Sequence, residues 1–271
     1  MWKNIKHYVV LSLFLGSALC AELSHAKPRL LYLTQGGDPW HDYTWQAEKF
    51  QQTLPLWIDV AITTVGVEDK KAALKTLKNP DFAADYDILV YNACFAFSTD
   101  YKSIFNIRRQ AQELGIPVIL LHCAMHNFRS TSPSLGPMGN LLSAWDRRKW
   151  KDKDLLPQWS AFTGMDTIIH EPIATLSLRK AAQHPITEGL PAEVILAHDE
   201  LYLAHSQSKD STALYWGESA RQSEQPVVWI RQEGQTEVVG ITLGHDQNTW
   251  NSEFFWQLLS QSVRYLTSKP Q

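Results

Sequence analysis

Between Gly115 and Arg129 the chain reads Gly-Ile-Pro117-Val-Ile-Leu-Leu-His122-Cys123-Ala-Met-His126-Asn-Phe-Arg129. The apolar run in this stretch is short, bounded by turn residues, and apolar at consecutive rather than alternate positions. That pattern fits a strand buried on both faces, as strands are in a parallel sheet covered by helices on its two sides. Parallel neighbours need long crossovers, so the rest of the chain must alternate strands with helices. It does. Strands are expected at Arg29–Thr34, Trp57–Val65 and Asp87–Asn92, with helices over Tyr43–Thr53, Glu68–Leu77 and Tyr101–Leu114. Gly115 closes the last helix as a C′ residue. The expectation is an α/β fold with a doubly wound, mostly parallel sheet and helices on both faces.

Past Arg129 the pattern changes. A Ser-, Pro- and Gly-rich loop and a mixed charge run make 129–165 read as an insertion that covers a crevice, punctuated by Trp145, Trp150 and Trp159. Strands return at Ile173–Leu178, Val194–Ala197 and Thr212–Trp216. Pro226–Arg231 and Thr236–Thr242 form a hairpin turning near Gly234, and Trp250–Leu266 is an amphipathic closing helix.

In an open parallel sheet, ligands sit beyond the carboxyl ends of the strands. The polar residues at those ends are therefore the candidates. The first strand runs into Gly36-Gly37 and His41-Asp42, where the glycines permit a tight turn. The third ends at Asn92 and Cys94, and the run after Pro117 ends at His122, Cys123, His126 and Arg129. His198-Asp199-Glu200 and His245-Asp246 close two later strands. For each group alone a plain structural reading stands beside the functional one: Cys123 as a packed thiol, the histidines as caps, Asp199-Glu200 as a surface turn. Phe95 and Phe97 read as core.

The formal net charge is −3, so a nucleic-acid partner has no electrostatic support. The Gly36-Gly37 loop lacks the spacing of a GxGxxG or P-loop motif, and no nucleotide is expected. Residues 1–26 read as a signal peptide. Lys3 and Lys6 precede an apolar stretch from Tyr8 to Leu19, and Ser24-His-Ala26 offers small residues before the cut. No later run is long enough to span a membrane. The expectation is a secreted, periplasmic protein of residues 27–271, without stable membrane insertion after cleavage; a retained N-terminal anchor is the alternative. Cleavage leaves Cys94 and Cys123, which an oxidising compartment allows to pair, although sequence does not fix the pairing. Oligomeric state is not legible.

Taken in order, several of these stretches resemble the ThuA-like (trehalose utilisation) family of the class I glutamine amidotransferase-like superfamily. They are the Gly36-Gly37 turn with His41, the strand ending in His122, His184-Pro-Ile-Thr-Glu-Gly-Leu190, Asp199-Glu-Leu-Tyr202, Pro226-Val-Val-Trp229 and Leu243-Gly-His-Asp246. The resemblance implies a flavodoxin-like sandwich. In amidotransferases the corresponding strand ends in a nucleophilic cysteine at a sharp elbow; here that register carries His122, with Cys123 one residue later. A one-residue shift turns a strand-end side chain to the other face. His245 falls where the superfamily's catalytic histidine lies, so the resemblance implies a broken triad and no glutaminase activity.

The family's association with disaccharide metabolism and 3-keto sugars implies a small-molecule carbohydrate as partner. The implied activity is that of a hydrolase or lyase on a glycoside or disaccharide, 3-keto forms included. A carbonyl at C3 acidifies the C2 hydrogen, and elimination then needs a base and an electrophile. A divalent metal, zinc or manganese, can serve as electrophile, with His41, His122 and His245 as ligands. His122, His245 and Asp199 are the candidate catalytic residues. Gly37, His41, Asn92, His126, Arg129, Glu200 and Asp246 are the candidate substrate-binding residues. Two other readings stay open: a non-catalytic carbohydrate-binding or accessory protein on the same fold, and a thiol hydrolase using Cys123 with His245.

Overall fold

The computed structural model describes residues 26–135, Arg148 and residues 157–269. The expected signal peptide and most of the insertion at 129–165 lie outside them. Among the described residues no helix is long and apolar enough to cross a membrane.

Five strands form the parallel part of a nine-stranded sheet: β1 (Arg29–Leu33), β2 (Ala61–Val65), β3 (Ile88–Tyr91), β4 (Val118–Leu121) and β11 (Thr236–Ile241). Their order is β2-β1-β3-β4-β11. Beyond β11 the sheet continues antiparallel through β10 (Gln225–Glu233), β9 (Ser211–Glu218), β6 (Ala174–Lys180) and β7 (Glu193–Asp199). A separate antiparallel pair joins β5 (Met165–His170) to β8 (Tyr202–Gln207), with His170 opposite Tyr202.

Because side chains alternate across a strand, the central strands feed two cores. On one face Leu30, Tyr32, Val90, Ile119 and Leu121 pack with helix α1 (Tyr43–Thr53) and the closing helix α6 (Glu253–Thr267). On the other, Leu31, Leu33, Tyr91, Val118 and Leu120 pack with α2 (Lys70–Leu77) and α3 (Lys102–Gln112). The intervening helices are short: α4 (Trp159–Thr163) and α5 (Gln247–Trp250). Asp42, Asp69 and Ser252 accept from the first-turn amides of α1, α2 and α6, which satisfies donors that a helix leaves unpaired at its start.

Three expectations shift. Trp57–Val60 is not strand, because Pro55 starts a 3-10 turn over Leu54–Leu56 and Trp57 caps it. The segments that form β5 and β8 carried no strand expectation. Phe95 is buried as expected, but Phe97 is 84% exposed.

Counting directions across the four antiparallel pairings, β7 runs the same way as β11. The carboxyl ends of β1, β3, β4, β7 and β11 therefore line one edge of the sheet.

Candidate functional site

At the end of β4 the chain turns sharply. His122 has φ 47° and opens a 3-10 helix over His122–His126. A left-handed backbone at a non-glycine residue is unfavourable and persists only where its surroundings enforce it. Here Cys123 is disulfide-bonded to Cys94, with Cα atoms 5.1 Å apart. The bridge ties the loop after β3 to the elbow after β4, settling the pairing that the sequence left open. His122 Nδ1 lies 2.7 Å from the Thr242 carbonyl oxygen at the end of β11. A carbonyl only accepts, so Nδ1 carries the proton and Nε2 turns inward.

Three other strand ends converge on that Nε2. Glu200, just past β7, has Oε2 at 3.4 Å from His122 Nε2 and Oε1 at 3.3 Å from His245 Nδ1. His41 stacks edge-on to both imidazoles, with ring centroids 5.0 Å from His122 and 5.2 Å from His245. One donor atom from each of His41, His122, Glu200 and His245 lies within 4.8 Å of the others. His41 Nδ1 is held by Asp38 Oδ1 at 3.1 Å, while its Nε2 is buried with no partner.

The electrostatics follow from this crowding. Burial pulls Glu200 towards protonation, but His122 and His245 outweigh it and hold the carboxyl far below its usual range. Burial pulls His245 down, and Glu200 raises it above its ordinary value. For His41 burial wins over Asp38, and its pKa is lowered.

Asp199 does not join the cluster. It is fully buried and accepts from the amides of Glu200 (2.8 Å), Gly244 (2.9 Å) and His245 (3.2 Å), and from Thr249 Oγ1 (2.5 Å). It fixes the loop that carries His245. Asn92 serves the same loop from further away. It donates to Tyr32 and to Gln46 Oε1, and Gln46 Nε2 donates to the Gly244 and His245 carbonyls. Asp246 turns outward, where it caps α5 and pairs with His198 at 2.6 Å. Gly37 lies in the exposed turn after β1, with φ 66°.

His126 and Arg129 stand beside the cluster, separated from it by Tyr202. The Tyr202 ring is 4.3 Å from His126 and 5.2 Å from His122, centroid to centroid. His170 was not anticipated. It sits at the end of β5, with Nδ1 at 2.9 Å from the Glu171 carbonyl and 3.4 Å from Glu200 Oε1. The run Met165-Asp-Thr-Ile-Ile-His170 ends in an imidazole as the β4 run does, but Asp166 and Thr167 break the consecutive apolar pattern that marked β4. Asp38 and Tyr202 were not among the candidates, although they lie in the Gly36-Gly37 turn and the Asp199-Glu-Leu-Tyr202 stretch that the sequence singled out.

Two aromatic side chains are exposed near this edge: Trp40, next to His41, and Phe97, in the loop after β3.

Comparison with known proteins bears on the fold and the family. A ThuA-like protein from Bacteroides uniformis shares 16% identity with a TM-score of 0.65, covering 91% of this chain and 95% of its own. One from Parabacteroides merdae shares 15% with a TM-score of 0.60, covering 90% and 91%. A glutamine amidotransferase from Thermotoga maritima shares 11% with a TM-score of 0.51, covering 90% and 100%. At these identities the likenesses show the fold. No curated protein matches the chain. The family model described as "Trehalose utilisation" matches residues 84–266, a span that holds His122, Glu200 and His245 and begins after His41. Matched over more than half its length, the chain belongs to the ThuA family.

Proposed function

We propose that this is an exported carbohydrate-processing enzyme, a hydrolase or lyase acting on a glycoside, whose centre is a divalent metal held by His41, His122, Glu200 and His245. The observation that carries the reading is the meeting of four donor atoms within 4.8 Å. Three imidazoles and one carboxylate suit zinc or manganese. The supports behind the ligands suit it too. Asp38 and the Thr242 carbonyl occupy the Nδ1 atoms of His41 and His122, the arrangement that orients ligating imidazoles elsewhere. The lone pair of His122 Nε2 then faces both the Tyr202 hydroxyl, which can donate to it, and a Glu200 oxygen, each at 3.4 Å. Acceptor against acceptor is repulsive unless a cation, metal or proton, lies between them.

A bound ion would polarise a sugar carbonyl and favour the enolate that elimination requires. The chain's own groups supply the rest. His170 Nδ1 donates to the Glu171 carbonyl, which leaves Nε2 as the acceptor of a partly exposed imidazole beside the cluster. It is the candidate base for the C2 hydrogen. Burial holds the Tyr202 phenol well above its ordinary pKa, so it stays a proton donor. Cys123, bonded to Cys94, is not offered as a thiol nucleophile, and glutaminase activity is not expected.

The deciding experiment is elemental mass spectrometry of purified protein and of a His122→Ala, His245→Ala double variant. Near-stoichiometric zinc or manganese, lost in the variant, is expected. No metal after incubation with a panel of divalent ions would overturn the reading. Export with cleavage after Ala26 is tested by N-terminal sequencing of the mature protein. A carbohydrate-binding protein without chemistry is the second reading, favoured by the exposed Trp40 and Phe97. It predicts sugar affinity that survives loss of the metal.

A further inference from the structure

Arg129 is the one arginine that is neither exposed nor paired with a carboxylate among the described residues. Arg108 pairs with Glu233, Arg109 with Asp81 and Glu113, and Arg231 with Asp210 and Glu233. Arg129 Nη2 instead meets His126 Nδ1 at 3.3 Å, and its Nε is buried without a partner.

His126 cannot serve as the counter-ion. Its Nε2 is 3.2 Å from Thr167 Oγ1, and that hydroxyl donates onward to the Ile169 carbonyl at 3.2 Å. The hydroxyl proton is committed, so Nε2–H is the donor to Thr167, and Nδ1 accepts from the guanidinium. His126 is a neutral prop. It holds Arg129 from behind, where the chain has passed through a left-handed Phe128 (φ 51°) into the turn at Arg129–Thr131. The guanidinium carbon lies over the ring of the exposed Phe97, 5.8 Å from its centroid.

A half-buried cation without a counter-charge is costly, and here the fold props it in place beside the reaction centre. We infer that Arg129, backed by His126 and flanked by Phe97, is an anion subsite, so that the sugar taken by this centre carries an acidic group. A uronic-acid carboxylate or a sulfate ester offers the paired oxygens that a guanidinium binds best, and Phe97 offers a face for the apolar side of the ring. The inference rests on the proposed function in one respect. With a divalent ion the cluster carries net positive charge despite Glu200, and it faces Arg129 across Tyr202; without the ion Glu200 would oppose an anion there.

The test is calorimetric titration of the metal-loaded full chain with methyl β-glucuronide, methyl β-glucoside and glucose 6-sulfate. The same titrations are made on Arg129→Gln and Arg129→Lys, with circular dichroism and metal content recorded for each. An acidic probe is expected to bind about tenfold or more tighter than methyl β-glucoside, the scale of one charge-assisted pair. Arg129→Gln should abolish that preference with metal content unchanged, and Arg129→Lys should retain part of it. Whether glucuronide or sulfate binds better identifies the source of the charge. Equal affinity for charged and neutral probes in the wild type would overturn the inference, as would failure of both acids to bind at millimolar concentration. So would a preference that survives in a folded Arg129→Gln variant. Absence of metal from the wild type, with the acid preference still lost on removing Arg129, would instead overturn the metal reading and leave the subsite standing.

Discussion

At the scale of single residues the site depends on side chains that stand behind the converging ones. Asp199 satisfies three backbone amides and one hydroxyl at once. Its replacement by Ala strands several buried donors, each costly to leave unpaired. We expect Asp199→Ala to lose about 2–4 kcal/mol of stability in urea unfolding, and to lower metal content because the His245 loop is released.

The histidines make stability pH-dependent in a definite direction. His126 is held neutral: burial, then the Arg129, His170 and His122 charges, push its pKa well below the ordinary value, against a weaker opposite pull from Glu200. The unfolded chain takes up that proton near pH 6.5 and the folded chain does not. Stability therefore falls as pH drops below about 6.5, and His41 acts in the same sense. His245 acts oppositely: its raised pKa gives stability that is complete below the unfolded value and fades as pH rises through the folded one. Burial also lowers His184, so with three groups against one the metal-free protein should melt at lower temperature at pH 5 than at pH 7. His126→Gln should flatten that slope; an unchanged slope would remove His126 as its cause. Glu200 adds a further loss only in more acidic solution, below the ordinary carboxylate pKa.

At the scale of elements, the loops after β1, β3 and β4 are held by different means. Gly36 lies against the backbone that leads into α2, where an added Cβ would fall 2.2 Å from the Val67 carbonyl oxygen. Backbone cannot swing aside as a long side chain can, so Gly36→Ala should displace the His41 loop. The expected cost is about 1–3 kcal/mol, read by thermal unfolding, with metal affinity weakened alongside. The loops after β3 and β4 are joined covalently, across a sequence separation of 29. In the chain-entropy account a loop of this size contributes about 3–4 kcal/mol. The Cys94→Ser, Cys123→Ser double variant should lose about that much in urea unfolding. Denatured but unreduced wild type should show no free thiol at either position.

The parallel core was legible because short apolar runs bounded by turn residues alternated with helical periods, the last of them stopped by Gly115. β5 and β8 were not. Tyr202-Leu-Ala-His-Ser-Gln207 has no sustained alternation, and both strands pair only with each other, so neither bears the fully apolar stamp of a central strand. The same limit applied inside the site. Strand-end placement picked out His41, His122 and His245, but Asp199 and Glu200 are neighbours and point opposite ways. Which of them enters the cluster is decided by the register of β7 against β6, which the sequence does not display. His170 was lost with its strand.

At the scale of the whole molecule, the mixed sheet accounts for the convergence. Reversing direction at each of four pairings beyond β11 brings the end of β7 back to the edge where the parallel strands finish. If that convergence holds an ion, the ion links distant parts of the fold and stabilises only the folded chain. Zinc at 100 times its dissociation constant should add about 2.7 kcal/mol, seen as a higher melting temperature that excess chelator reverses.

The four converging side chains sit at positions 41, 122, 200 and 245 of 271. No contiguous fragment of the chain contains the centre until nearly all of it has been made. A molecule shortened before β11 would lack the strand that joins the two halves of the sheet, and its three remaining donors would make an incomplete cage. If the centre holds the proposed ion, its occupancy would then report that a molecule is whole and correctly wound.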